Sequence, residues 1–111
     1  MNDKELLTLA AKAAGIRLEW DGDPEKWVPT YYEGKTYHGW NPLTDDGDAL
    51  RLAVKLKLIV DIGCGYAEAR DPEYDPEPIK AMEYLNDHTD PYAATRRAIV
   101  RAASEIGRGM E

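Results

Sequence analysis

From Asp90 to Gly107 the chain carries its clearest structural signal, that of a helix. Asp90 is a capping residue, Pro91 stands where the first helical position tolerates proline, and fifteen residues without a breaker run on to Gly107. The spacing predicts a helix near residues 91–106, about 24 Å long, with Tyr92, Thr95, Ile99, Ala102, Ala103 and Ile106 on its inner face and Gly107 as its stop. A chain of 111 residues has room for one domain and no more.

Two more helices follow from the same signals. Asn2 can cap a first helix near 3–14, with Glu5 completing a capping box and Gly15 ending it. Its apolar positions (Leu6, Leu9, Ala10, Ala13, Ala14) are small, which suits close packing, most naturally on a sheet. A second helix near 45–57 opens on Thr44 or Asp45, with Asp45, Asp46 and Asp48 where the helix dipole favours negative charge. Leu50, Ala53, Val54 and Leu58 make its apolar stripe and Leu52 and Leu56 widen it, so this helix is expected to be deeply buried.

Between the helices the period changes. Ile16–Trp20 alternates apolar and polar residues, Tyr31–Tyr37 reads as an aromatic hairpin around Gly34, residues 58–62 are rich in β-formers, and Ile79–Leu85 reads as a strand. The acidic, proline-bearing run Asp71–Pro78 is a loop. The expected fold class is α+β: three helices packed on a small, mostly antiparallel sheet of about three to five strands. Leu9, Leu18, Val54, Ile62, Ile99 and Ile106 are expected in the core.

Composition limits the function classes. Fourteen basic against 21 acidic residues leave a net charge of −7, which disfavours nucleic acid and anionic membranes as partners. The single cysteine forms no intrachain disulfide, no apolar run reaches membrane-spanning length, and the acidic start does not read as a signal peptide. A soluble, cytoplasmic domain is expected.

Several motifs invite chemistry and lack its context. Val60-Asp61-Ile62-Gly63-Cys64-Gly65-Tyr66-Ala67 resembles the first motif of S-adenosylmethionine-dependent methyltransferases, with Ala67 in place of the third glycine. That fold needs roughly 200 residues and a helix straight after the motif; here 46 residues remain after Gly65 and an acidic loop comes soon after. A strand with two glycines at a bend is the favoured reading. Asp45-Asp46-Gly47-Asp48 lacks the glycine position and final glutamate of a calcium loop. Alternate carboxylates at Asp71, Glu73, Asp75 and Glu77 read as a solvated loop. His38 and His88 have no zinc spacing, and Cys64 reads as a small buried thiol. No catalytic residue, cofactor or metal is expected.

Two features could serve a partner. Arg97, Arg101 and Arg108 share one face of the last helix, beside Arg96. Residues 90–111 sum to +1 (four arginines, three acids), against −8 (ten basic, eighteen acidic) for residues 1–89. These arginines are either a docking stripe or a solvated face paired with the protein's own carboxylates. Trp20, Trp27, Tyr31, Tyr32, Tyr37 and Trp40 crowd one early segment, as at an interface or at the rim of a small core. Arg97, Arg101, Arg108, Trp27, Tyr31 and Tyr32 are therefore the candidate partner-binding residues.

Residues 40–56 (WNPLTDDGDALRLAVKL) and 90–107 (DPYAATRRAIVRAASEIG) together resemble the two hallmark segments of the phage ABA sandwich domain family, and the opening Leu-Ala-Ala-Lys-Ala-Ala-Gly helix fits the same pattern. The resemblance spans essentially the whole chain and is weakest from Gly63 to Asn86. It implies helices layered on both sides of a sheet and a bacteriophage or prophage origin, and it carries no catalytic residues. The expectation for function is a non-enzymatic accessory protein that binds a host or phage protein, with a homodimer admissible. The alternative is a small-molecule or nucleotide site walled by Asp61–Gly65.

Overall fold

The computed structural model describes residues 2–21, 28–33, 36–75, 77–88 and 90–110. In chain order they form α1 (Asp3–Ala14), β1 (Glu19–Asp21), β2 (Val28–Glu33), β3 (Thr36–Gly39), α2 (Asp46–Leu56), β4 (Ile59–Gly63), β5 (Tyr66–Asp71), β6 (Ile79–Tyr84), a single 3₁₀ turn at Leu85–Asp87, and α3 (Pro91–Gly109). The fold class is α+β, as expected. The strands divide into two antiparallel three-stranded sheets, β1-β2-β3 and β4-β5-β6.

Each helix starts as its sequence prescribes. Asn2 Oδ1 accepts the Glu5 N–H at 2.9 Å, Asp45 Oδ2 accepts that of Asp48 at 2.8 Å, and Asp90 Oδ1 accepts that of Ala93 at 2.7 Å. The three aspartates of the α2 entrance do different work. Asp45 caps the helix. Asp48, almost buried, turns back to accept the Asn41 N–H at 3.0 Å and Arg51 Nη2 at 2.7 Å, and the Asp48 bond raises the Arg51 pKa. Asp46 reaches α3, where Arg96 Nη1 lies 2.6 Å away.

One helix end is as expected and another is not. Gly15 takes φ 72° and closes α1 by donating its N–H to the last turn. Lys57, with a Cβ, takes the same left-handed conformation at φ 57° to end α2. Gly107 ends nothing: α3 continues to Gly109, and Gly107 is buried inside it.

The reason is α1. Its alanine face packs on α3 rather than on a sheet, joining Ala10, Ala11 and Ala14 to Ala98, Ala102 and Ala103 in one core. A β-carbon on Gly107 would stand 1.9 Å from the Leu9 carbonyl oxygen, so glycine is what lets the two backbones touch. With α1 and α2 against it and its far side across β5 and β6, α3 is the central element.

Sheet register explains the other face of α3. Val60 pairs with Ala69 and Ala69 with Ala81, which aligns these side chains with Ala67 and Ile79 toward the helix. Strand β5 has no counterpart in the sequence reading, because Tyr66-Ala-Glu-Ala-Arg-Asp is poor in β-formers. Its alanines alternate inward with no exposure at all, and burial overrides propensity there.

Two expected core residues are outside. Val54 is 68% exposed and Ile62 63% exposed, whereas Ile99 is buried and Leu18 and Ile106 are half-buried against the core. Leu9 is half-buried.

Candidate functional site

The arginines of α3 are all engaged by the protein's own groups. Arg96 Nε donates to the Leu43 carbonyl at 2.8 Å besides binding Asp46. Arg97 pairs with Asp3 of α1 at 3.1 Å, and Arg108 lies 3.7 Å from Glu105. Arg101 donates to the Met82 carbonyl at 2.9 Å and to Glu83, whose other carboxylate oxygen lies 2.7 Å from His88 Nε2. Glu83 and His88 are both largely buried, so this chain of three side chains ties β6 and the turn after it to α3. Nothing in the sequence spacing of residues 83, 88 and 101 would have grouped them.

Arg101 and Arg108 border a cavity of about 480 Å³ beside Leu6, Tyr74, Ile79 and Ser104. Lys80 lines it too, and its three cations are offset by Glu68, Glu83 and Glu105, which leaves little net field for an anion.

The aromatic segment divides. Trp40 is buried, and Trp20 and Tyr31 are half-buried against the core. Lys4 Nζ sits 5.4 Å from the Trp20 ring centroid. Trp27 and the side chains of Tyr32 and Tyr37 lie outside the described residues, as does the side chain of His38.

The glycine motif forms a β-hairpin. Gly63 pairs directly with Tyr66 across a two-residue turn, Cys64-Gly65, with Gly65 at φ 99°. A β-carbon on Gly63 would come within 2.8 Å of the Tyr66 ring. The motif thus leads into β5 where a methyltransferase would have a helix, and Cys64 is exposed at the tip instead of buried. Asp61 binds Arg70, which also bonds Glu68 at 3.0 Å; the two carboxylates, Asp61 first, raise the Arg70 pKa. Among the described residues no three His, Cys, Asp or Glu side chains gather as metal ligands.

What the tertiary structure assembles instead is an apolar groove of about 300 Å³ between α2, β4 and α3. Ala49, Ala53, Val60 and Ile99 line it, together with Leu50, Ile62 and Tyr92, and the Asp46–Arg96 ion pair is part of the same lining. Leu50 is 64% and Tyr92 67% exposed, and Val54 continues the Leu50 face one turn along α2. The cause is geometric. The apolar arc of α2 is wider than α3 alone can cover: Ala49, Leu52 and Ala53 meet the core, while Leu50 and Val54 sit past its edge. By sequence this stripe and Tyr92 are expected inside, but side-chain type alone cannot distinguish a covered stripe from an exposed one. Apolar side chains gathered around one groove, with little polar atom among them, offer desolvation as their chief driving force.

Compared with known proteins, the chain matches no family model, no curated protein and no solved structure. No described helix is long and apolar enough to cross a membrane.

Proposed function

We propose that this protein acts by docking onto other proteins and not by catalysis. The observation that carries the reading is the groove between α2, β4 and α3, with Leu50, Ile62 and Tyr92, each about two-thirds exposed, in its lining and the equally exposed Val54 one turn from Leu50 along α2. Grouped exposure of this kind costs solubility unless a partner covers it. An apolar centre with a charged rim, here Asp46 and Arg96, is the anatomy of a protein interface. Following the resemblance of residues 40–56 and 90–107, the setting is that of a phage or prophage accessory protein in the bacterial cytoplasm, acting on a host or phage protein.

The test is affinity capture from lysogenic or infected host lysate with wild-type protein and a Leu50→Lys/Val54→Lys variant, both checked for native circular dichroism. A stoichiometric partner held by the wild type and lost by the variant is expected. Equal capture by both proteins, or repeated failure to recover any partner including a second copy, refutes the reading.

A further inference from the structure

The groove runs alongside a strand edge, and the two edges of the β4-β5-β6 sheet are treated differently. A two-residue turn closes on a hydrogen-bonded pair, here Gly63 with Tyr66, and antiparallel pairing alternates from there. The backbone groups of Val60 and Ile62 on β4 therefore point away from β5, and those of Lys80 and Met82 on β6 do the same on the other side. The β6 edge is guarded: Arg101 occupies the Met82 carbonyl at 2.9 Å, and Lys80 supplies a charge that discourages pairing.

Among the described residues the β4 edge has no such device and no further strand paired to it. Ile59-Val60-Asp61-Ile62-Gly63 contains no proline, lysine or bulge, and its one charge is committed to Arg70. An open apolar edge beside an open apolar groove is a liability unless something pairs with it.

We infer that this face is covered by a second copy of the same chain, joined antiparallel through β4 into a continuous six-stranded sheet. The inference rests on the reading of the groove as a docking surface and names its occupant. Three considerations select a second copy. First, a two-fold axis makes the face self-complementary, since each copy brings both an open edge and an apolar flank. Second, charge selects a workable register. Pairing about Asp61 would set two carboxylates opposite one another, whereas pairing about Val60 sets Val60 against Val60, Asp61 against Ile59, and Ile62 against Leu58 of the second copy. In that register the Leu58 N–H stays with the Ala53 carbonyl, 3.0 Å away, while its own carbonyl is available to the Ile62 N–H of the other copy. Third, the area suffices. Leu50, Val54, Ile62 and Tyr92, each about two-thirds exposed, supply on the order of 370 Å² per copy, taking about 200 Å² for a fully exposed tyrosine and about 120 Å² for each aliphatic side chain. The two copies together bring about 740 Å² from these side chains, and the paired strands carry the total to about the 1,000 Å² that a specific interface needs.

Each chain carries −7, so association of two copies is opposed at long range and tightens as salt screens the repulsion. A basic partner would show the opposite salt dependence. The experiment is sedimentation equilibrium of the full chain from micromolar to several hundred micromolar, at low and high salt. Wild type and the variants Ile62→Lys and Val54→Lys are compared, all verified folded by circular dichroism. The expected result is a wild-type dimer that tightens with salt, is weakened at least tenfold by either substitution, and shows slowed amide exchange at Val60 and Ile62.

A wild type that stays monomeric throughout, or a dimer indifferent to both substitutions, overturns the inference. If that monomer still captures a different protein in a manner abolished by Leu50→Lys/Val54→Lys, the second copy is refuted and the docking surface stands. If it captures nothing, both fall.

Discussion

Replacing Gly107 with alanine is expected to destabilise the protein, although the same change inside an ordinary helix stabilises it. The intrinsic gain is about 1 kcal/mol, from reduced backbone freedom in the unfolded chain. Against it stands the position of the new β-carbon, 1.9 Å from the carbonyl oxygen and 2.7 Å from the carbonyl carbon of Leu9. Restoring an ordinary contact near 3.3 Å means separating α1 from α3 by about 1.4 Å, a gap that forfeits half or more of the dispersion energy of the atoms it parts. The obstacle is backbone, so no rotamer change relieves it, and the cost falls at the upper end of the range for overpacking, about 3 kcal/mol.

The net loss is about 2 kcal/mol, equivalent to a fall of about 8 °C in Tm for a domain of this size. Urea unfolding followed by circular dichroism measures it as a lower midpoint at unchanged slope. Gly109→Ala is the control: its β-carbon would meet the far end of Tyr74, the hydroxyl at 2.6 Å, which can swing aside. That variant should lie within about 0.5 kcal/mol of wild type. A Gly107→Ala protein as stable as wild type, or more stable, would refute the close approach of the two helices.

Reversing the arginines of α3 separates their roles: Arg101→Glu takes one partner from the nearly buried Glu83 carboxylate, which keeps His88, and sets a new like charge beside it, so it should lower Tm clearly, by an amount corresponding to about 1–3 kcal/mol. Arg97→Glu, which breaks a more exposed pair with Asp3, should change stability by less than about 1 kcal/mol; equal effects in a thermal melt would contradict the two geometries. Lys57→Gly should raise stability by about 1 kcal/mol in chemical unfolding, because Lys57 holds φ 57° at the end of α2, where a β-carbon is disfavoured. A loss there would mean that the lysine side chain contributes more than its backbone strain costs.

The amino-acid sequence by itself determined the helices and most of the strands. Asn2, Asp45 and Asp90 each satisfy an N–H within three residues, and the Pro91 start and Gly15 stop are equally local, so they are legible without knowing what the helix packs on. The Tyr31–Tyr37 hairpin and the strand at residues 79–84 were legible for the same reason. Only the tertiary structure decided which apolar residues are covered. Val54 and Ile62 carry the same side-chain chemistry as the buried Val100 and Ile99, and they are exposed because α3 covers one side of α2 and leaves β4 at a sheet edge. The role of Gly107 and the existence of β5 were likewise set from outside their own segments, by Leu9 and by α3. Caps and turns are short-range hydrogen bonds, whereas burial is a property of surfaces brought together from distant parts of the chain. The groove, the open β4 edge and the Arg101–Glu83–His88 chain are all of that second kind.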